Sequence, residues 1–398
     1  MSIKIGLLAG EPSGDNLAAG LMAALREQLQ PELVEFIGVG GPGMAAQGLQ
    51  SLAPFEALAV NGFKEPLLRL PQLWRLYRRL AQIMQAEKVD FFIGVDFNVF
   101  NFLLEARLRK AGIATAHYVS PSVYAWRRGR TKKVARCADL LFCLYPFEPK
   151  FYSELPLRAV FVGHPIAESI DMDAGGHEAR RQARAQLQIS ADDLVIAVLP
   201  GSRGSEVALM LEPFLQAAQI LVDKSPNRRI SVVIPCVNET RRQQIEEGLQ
   251  RFPQLQVVLL NNGDARSALV ASDVAMIKSG TSTLEAMLLR RPMVVSYRLG
   301  KFSYRIANRL VNTPFIALPN ILADKSLVPE LIQDAATPSA LAGAVLEQLE
   351  SATNKSKESV VMRSFAQMHK QLREGESGLG PNATAAAEIC KLLLTRRH

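Results

Sequence analysis

Cysteine is scarce: four in 398 residues are too few for a disulfide framework. Cys137, Cys143, Cys236 and Cys390 also lack the close pairing of a zinc site or a redox motif, so reduced, mostly buried thiols are expected. No apolar run reaches bilayer-spanning length, and residues 1–10 lack a charged segment followed by a long apolar one. A cytoplasmic chain that folds in water is therefore expected. Helix-turn-helix, zinc-finger and RNA-binding signatures are missing too, and nucleic acid is not an expected partner. What is in excess is positive charge. A formal net charge of +8 favours nucleotides, phosphorylated sugars or an anionic membrane surface. Apolar residues at 48% and charged residues at 21% are ordinary for a globular chain, and the length suggests two α/β domains.

A strand-loop-helix rhythm runs through the first half. Residues 3–9 form an apolar run that stops at Gly10-Glu11-Pro12-Ser13-Gly14-Asp15, after which Leu17, Leu21, Met22 and Leu25 recur at helical spacing. A second strand runs into Gly38-Val39-Gly40-Gly41-Pro42-Gly43, a formal match to the dinucleotide fingerprint. It follows the second strand rather than the first and contains a proline, so no nicotinamide or flavin is expected. Residues 89–101 carry the most pointed signal, a buried strand that ends abruptly in Asp96. An acid there faces the substrate side of an open sheet and is a candidate base; it is equally placed to cap the helix that follows. The strand of 114–119 leads into Ser120-Pro121-Ser122-Val123-Tyr124-Ala125-Trp126-Arg127, and the first domain closes near Gly163-His164-Pro165.

Residues 61–80 set apolar side chains among cations. Leu73, Leu76, Tyr77, Leu80 and Ile83 fit the buried stripe of an ordinary helix. Trp74, Leu67, Leu68 and Leu70 fall off that stripe beside Arg69, Arg75 and Arg78, as in a segment that dips into a membrane interface or grips an acyl chain. Both readings stay open on pattern alone.

The second half repeats the rhythm with phosphate-friendly loops. Pro200-Gly201-Ser202-Arg203 precedes a helix, and backbone N–H groups with a forked cation suit a diphosphate. The Gly-Lys-Ser/Thr ending of a P-loop is missing, so an ATPase is not supported. Lys278-Ser279-Gly280-Thr281 opens another helix, where Glu285 is placed to hold ribose hydroxyls or to serve as a capping acid. Asp171-Met172-Asp173 has the form of a metal-binding acid pair, but it lies in a Gly-bearing linker, and no metal is expected. The expected architecture is α/β, two Rossmann-like domains facing a cleft. Residues 1–165 form the acceptor side and 166–190 a linker. Residues 191–345 hold the nucleotide, and helices over 346–398 cross back or reach a partner subunit of a homodimer.

These motifs, in this order over 3–372, resemble the lipid-A-disaccharide synthases, inverting glycosyltransferases of the GT-B type. The carriers are the Gly10 to Asp15 loop, Gly41-Pro42, Gly94-Val95-Asp96, Tyr118 to Arg127, Pro146-Phe147-Glu148, Val162-Gly163-His164-Pro165, Leu199 to Arg203, Ser279-Gly280-Thr281 with Leu284-Glu285, and Leu318-Pro319-Asn320. The resemblance implies transfer of 2,3-diacylglucosamine from UDP-2,3-diacylglucosamine to the 6-hydroxyl of 2,3-diacylglucosamine 1-phosphate. The products would be a β-1,6-linked disaccharide and UDP, with no cofactor. It implies Asp96 as general base, with Glu11, Ser13, Gly14, Asp15, Ser120 and Ser122 on the acceptor side. Gly201, Ser202, Arg203, Ser279, Gly280, Thr281, Glu285 and Asn320 would hold UDP. Substrates that live in a membrane place the enzyme on the inner face of the inner membrane, with Phe63, Leu67, Leu68, Leu70 and Trp74 in membrane or acyl contact. Two departures stand out. The family usually continues the base motif as Ala-Pro-Asp-Phe-Asn where this chain has Phe97-Asn98-Val99-Phe100-Asn101, and its usual Trp is Tyr124 here. Alternatives are another GT-B enzyme acting on a UDP-N-acetylhexosamine, or a diverged UDP-sugar-binding protein without turnover.

Overall fold

Parallel strands covered on both faces need apolar side chains in both directions, and that is how the strands of this chain are built. In the first strand, β1 (Ser2–Ala9), Ile3, Ile5 and Leu7 enter one buried cluster and Leu8 enters another on the opposite face. The computed structural model describes every residue except Met1, 59–64, 124–128, 301–303, 305–312, 354 and 398. The side chains of 65–70, 353, 355–359 and 397 also lie outside that description. The chain forms two units, Met1–Glu168 with Gln371–His398, and Ser169–Lys370.

Unit 1 holds a seven-stranded parallel sheet in the order β3-β2-β1-β4-β5-β6-β7. Its further strands are β2 (Leu33–Val39), β3 (Leu49–Ser51), β4 (Phe91–Val95), β5 (Ala114–Tyr118), β6 (Leu140–Cys143) and β7 (Arg158–Phe161). One face is covered by α1 (Pro12–Gln28) and the C-terminal helix Pro381–Arg397, whose Ala385, Ala386 and Ile389 join the cluster of Leu17 and Leu21. α2 (Pro42–Ala46) follows β2. The other face is covered by α3 (Glu65–Ala86), α4 (Asn98–Lys110) and α5 (Arg130–Cys137). The return of the C-terminal segment is a close fit: a Cβ on Gly163 would stand 2.6 Å from the Leu372 carbonyl oxygen, which accepts the His164 N–H at 2.7 Å.

Unit 2 repeats the plan with six parallel strands, β10-β9-β8-β11-β12-β13. These are β8 (Leu194–Leu199), β9 (Ile230–Pro235), β10 (Gln256–Leu260), β11 (Val274–Lys278), β12 (Met293–Tyr297) and β13 (Glu330–Ile332). The stretch expected as a linker over 166–190 contains α6 (Pro165–Ser169) and α7 (His177–Gln186). α7 is fixed to unit 2 because buried Arg184 donates to Asp273 Oδ2 at 2.8 Å and to the Ala271 carbonyl at 2.9 Å. α8 (Gly204–Lys224), α9 (Glu239–Leu249), α10 (Ala265–Ala271) and α11 (Ser282–Leu288) complete the rhythm. By length and composition α8 is apolar enough to cross a bilayer, contrary to the expectation that no such run exists. Its Val207, Met210, Phe214, Leu215 and Leu221 are buried against the sheet instead. All four cysteines are free thiols, three of them buried.

Candidate active site

Open parallel sheets bind ligands outside the carboxyl ends of their strands, at the point where the strand order reverses. In unit 1 that point lies between β1 and β4, paired through Ala9 and Val95, so the Gly10 loop and Asp96 emerge side by side. The chain leaves β4 through two left-handed residues, Asp96 at φ +48° and Phe97 at φ +45°. For a bulky residue such as Phe97 this is strained, at about 1–3 kcal/mol, and persists only where surrounding bonds enforce it. They do. The Asp96 N–H donates to the Tyr118 carbonyl at 2.8 Å, and buried Asn101 donates through Nδ2 to the carbonyls of Asp96 (2.8 Å), Val95 (3.3 Å) and Leu8 (3.3 Å). The Phe97 ring lies over Gly10, where any Cβ would come within 2.6 Å of it.

The Asp96 carboxylate is not a helix cap. Phe97 holds the N-cap position of α4 without a side-chain bond, and Asp96 accepts from Asn98 Nδ2 at 3.3 Å. Asp96 and Glu11 instead line a pocket of about 540 Å³ whose other walls include Trp74, Tyr77, Val99 and Leu103. The two readings of the basic-apolar helix divide along α3. Leu80, Ala81 and Met84 are buried, with Leu73, Leu76 and Tyr77 partly buried beside them. Trp74 stacks on Tyr77 with centroids 5.0 Å apart yet stays 54% exposed, next to Val99 at 63% and Leu103 at 43%. Phe63 and the side chains of Leu67, Leu68 and Leu70 lie outside the described residues, as do Tyr124, Ala125, Trp126 and Arg127.

The remaining acceptor-side residues separate by burial. Glu11, Ser13 and Ser122 are exposed. Gly14 is buried against the Val95 carbonyl oxygen. Ser120 is buried, with its Oγ 3.0 Å from the Tyr152 hydroxyl. Asp15 is 3% exposed and accepts the N–H groups of Gly41 (2.8 Å), Met44 (3.0 Å) and Gly43 (2.8 Å). The loop that imitates a dinucleotide fingerprint is therefore filled by the protein's own carboxylate. Pattern reading also passed over a fully buried pair, His117 Nδ1 to Glu105 Oε1 at 2.7 Å. Burial raises Glu105 above the usual carboxylate range, opposed by the His117 ring. Its only sequence signals were an acid on the inner face of α4 and a histidine within a strand.

In unit 2 the reversal falls between β8 and β11, paired through Leu199 and Ile277. Gly201, Ser202, Ser279, Gly280 and Thr281 line a pocket of about 210 Å³ there, and so do Glu206 and Lys278, which the sequence reading did not select. Lys278 Nζ donates to Glu206 Oε1 at 2.9 Å. Arg203 has its side chain 82% exposed and 3.6 Å from Glu206. Ser279 Oγ donates to the Ile316 carbonyl at 2.7 Å. Glu285 is half-buried, and burial raises its carboxyl with Arg266 pulling it back. Asn320 is fully buried: its amide donates to the Val328 carbonyl and Glu330, and its oxygen accepts from Leu327 and Val328. It ties the helix Leu318–Ala323 to the segment 327–330 and is not among the pocket-lining residues.

Residues 5–379 match the sequence model of a family described as lipid-A-disaccharide synthetase. A lipid-A-disaccharide synthase of Saccharophagus degradans is 46% identical over 396 residues, covering 99% of this chain and 98% of the relative. One from Pseudomonas aeruginosa is 45% identical over 395 residues, covering 99% of each. Among solved structures, a glycosyltransferase from Rickettsia africae aligns with TM-score 0.59 at 10% identity over 99% of this chain and 98% of that one. A UDP-GlcNAc 2-epimerase from Neisseria meningitidis, bound to UDP-GlcNAc, aligns with TM-score 0.58 at 12% identity over 99% and 100%. These two likenesses establish the fold, two parallel-sheet α/β units of the GT-B type.

Proposed function

The chain belongs to the lipid-A-disaccharide synthetase family, glycosyltransferases of lipid A biosynthesis, and on that premise we propose the reaction and the residues that carry it. The donor is UDP-2,3-diacylglucosamine and the acceptor 2,3-diacylglucosamine 1-phosphate. Attack by the acceptor 6-hydroxyl inverts the donor anomeric carbon, giving a β-1,6-linked disaccharide 1-phosphate and UDP. One observation carries the reading: a carboxylate, Asp96, held in an enforced left-handed corner and lining an apolar pocket. Asp96 takes the hydroxyl proton as general base, a role that needs a positioned carboxylate within hydrogen-bond reach. Glu11 and Ser13 orient the acceptor sugar beside it, and Trp74, Val99 and Leu103 receive acyl chain.

The donor nucleotide occupies the glycine loops of unit 2. Negative charge develops on the departing UDP; the amides following Gly201 and the Arg203 guanidinium stabilise it without a metal. Glu285 holds the ribose hydroxyls, and Asn320 shapes the wall from behind. Both lipid substrates place the enzyme at the cytoplasmic face of the inner membrane, where exposed Trp74 among Arg75, Arg78 and Arg79 meets the anionic surface.

Purified protein incubated with both lipids is expected to yield a tetraacyl disaccharide 1-phosphate and one UDP per bond formed. Donor epimerisation, or UDP release without disaccharide, would sink the reading. Changing Leu67, Leu68 and Trp74 together to serine is expected to reduce sedimentation with anionic vesicles; unchanged sedimentation and activity would leave the segment a core element only.

A further inference from the structure

Three donors suited to a phosphate in unit 2 are already engaged by the protein itself. The turn after β8 passes through Gly201 at φ +125°, where a Cβ would lie 2.5 Å from Glu206 Cβ and 2.7 Å from its Oε2. That space lets the Glu206 carboxylate lie under the loop. Its Oε2 accepts the N–H groups of Ser202 at 3.1 Å and Arg203 at 3.2 Å, while its Oε1 accepts from Lys278 Nζ at 2.9 Å. Both side chains are 15% exposed, and both line the pocket. Lys278 also sits 4.8 Å from the centroid of the Tyr297 ring, which steadies the ammonium at the pocket wall. Burial acts to raise the Glu206 carboxyl, but the Lys278 ammonium and the two amides outweigh it and hold the group below its ordinary value. It is ionised at neutral pH.

As the acid of a capping box, Glu206 needs only the backbone donors of its own turn. A cation from the end of another strand adds nothing to a cap. Two amides and an ammonium converging on one pair of anionic oxygens are instead the donor set for a phosphate. We infer that Glu206 is a resident surrogate for one phosphate of the nucleotide, displaced from the Ser202 and Arg203 amides when ligand enters, and that Lys278 is the cation it passes to that phosphate. The inference rests on the reading that this pocket takes UDP.

The two charges then act in opposite directions on one affinity. Lys278→Met keeps the stem and removes the ammonium; Glu206→Gln keeps an oxygen for the loop amides and removes the competing charge. Calorimetric titration of the full chain with UDP, inorganic pyrophosphate and uridine tests this. For Lys278→Met, the Kd of UDP is expected to rise about tenfold, or 1.4 kcal/mol. For Glu206→Gln it is expected to fall several-fold, with pyrophosphate following UDP in both variants and uridine unmoved. Retained uridine binding shows that each site is folded, and if Glu206→Gln does not fold, Lys278→Met against Lys278→Arg carries the test alone. Wild-type protein that binds no UDP would overturn the functional reading together with this one. Wild-type binding that neither substitution changes, or that Glu206→Gln weakens, would overturn this inference alone.

Discussion

Asp96 and Lys278 occupy the same topological place in the two units, the first residue past or the last residue of the strand that neighbours the opening strand across the reversal. One is a carboxylate and the other an ammonium. Around Asp96 the walls include the aromatic and aliphatic side chains of Trp74, Tyr77, Phe97 and Leu103; around Lys278 glycine, serine and threonine share the walls with Leu199, Pro235 and Val237. The same backbone plan carries opposite charge at this place in the two units, and the proposed proton acceptance beside a lipid and the proposed phosphate binding both rest on that difference. The loop carboxylates differ in parallel. Asp15 is sealed by three amides in unit 1, whereas Glu206 is shared between two amides and an ammonium at a pocket wall. A sealed carboxylate is scaffold; one at a pocket wall is exchangeable.

The sharpest way to break that comparison is Asp96→Asn, which keeps the shape of the corner and removes the base. Turnover measured by disaccharide formation is expected to fall about 10²- to 10⁴-fold, the usual worth of a general base. UDP affinity should not move, since the substitution lies in unit 1 and the nucleotide is assigned to unit 2. Near-normal turnover would remove Asp96 from the mechanism. A changed UDP affinity with normal turnover would show that the division of labour between the units has been misdrawn.

Asn101→Ala probes whether the corner itself matters. Removing the amide that donates to Leu8, Val95 and Asp96 leaves buried carbonyls short of a donor, at a cost of about 1–3 kcal/mol. Release of the strained Asp96–Phe97 corner is expected to lower kcat about tenfold with little change in KM, because misplacing a catalytic group by a fraction of an ångström reduces rate before binding. Loss of urea stability with unchanged kcat would make Asn101 a fold residue only.

Pattern reading recovered what depends on period and punctuation. The continuous apolar runs of β1 and β4, the glycine turns and the acid at the end of a buried strand were legible because each is a local rule. The expectation of two Rossmann-like domains followed from repetition of that rhythm, and the GT-B type from the resemblance of the motifs. What sequence could not give is which polar side chains face one another across the fold. Asp15 reads like a ligand residue, and only the three-dimensional return of the Gly41 loop shows it consumed internally. Lys278, at the end of β11, sits beside the selected Ser279 and Gly280, but its partner Glu206 is 72 positions away on α8. Asn320 fails to line the pocket for the same reason, since its amide is spent on Glu330 and its neighbours. The linker at 166–190 read as polar and Gly-bearing; the contact that fixes α7, Arg184 to Asp273, is likewise non-local.

The smallest expected effect isolates what an ammonium does for a carboxylate. Glu148 and Glu206 each accept two backbone N–H groups, Glu148 from Leu144 and Tyr145, both at 3.0 Å. Glu148 is 2% exposed, and burial pushes its carboxyl up to about 8 against the pull of those amides and Ser120. Glu206, with Lys278 added, is held below its ordinary value. A carboxyl raised in the folded state binds protons that the unfolded chain has released, so its contribution is complete below about pH 4.5 and fades as pH climbs through about 8. Glu148→Gln keeps an acceptor oxygen and cannot ionise. Its urea midpoint should match wild type near pH 5 and exceed it at pH 9. A constant offset at every pH would mean that Glu148 is ionised throughout, and that two amides alone are enough to hold a buried carboxylate in this fold.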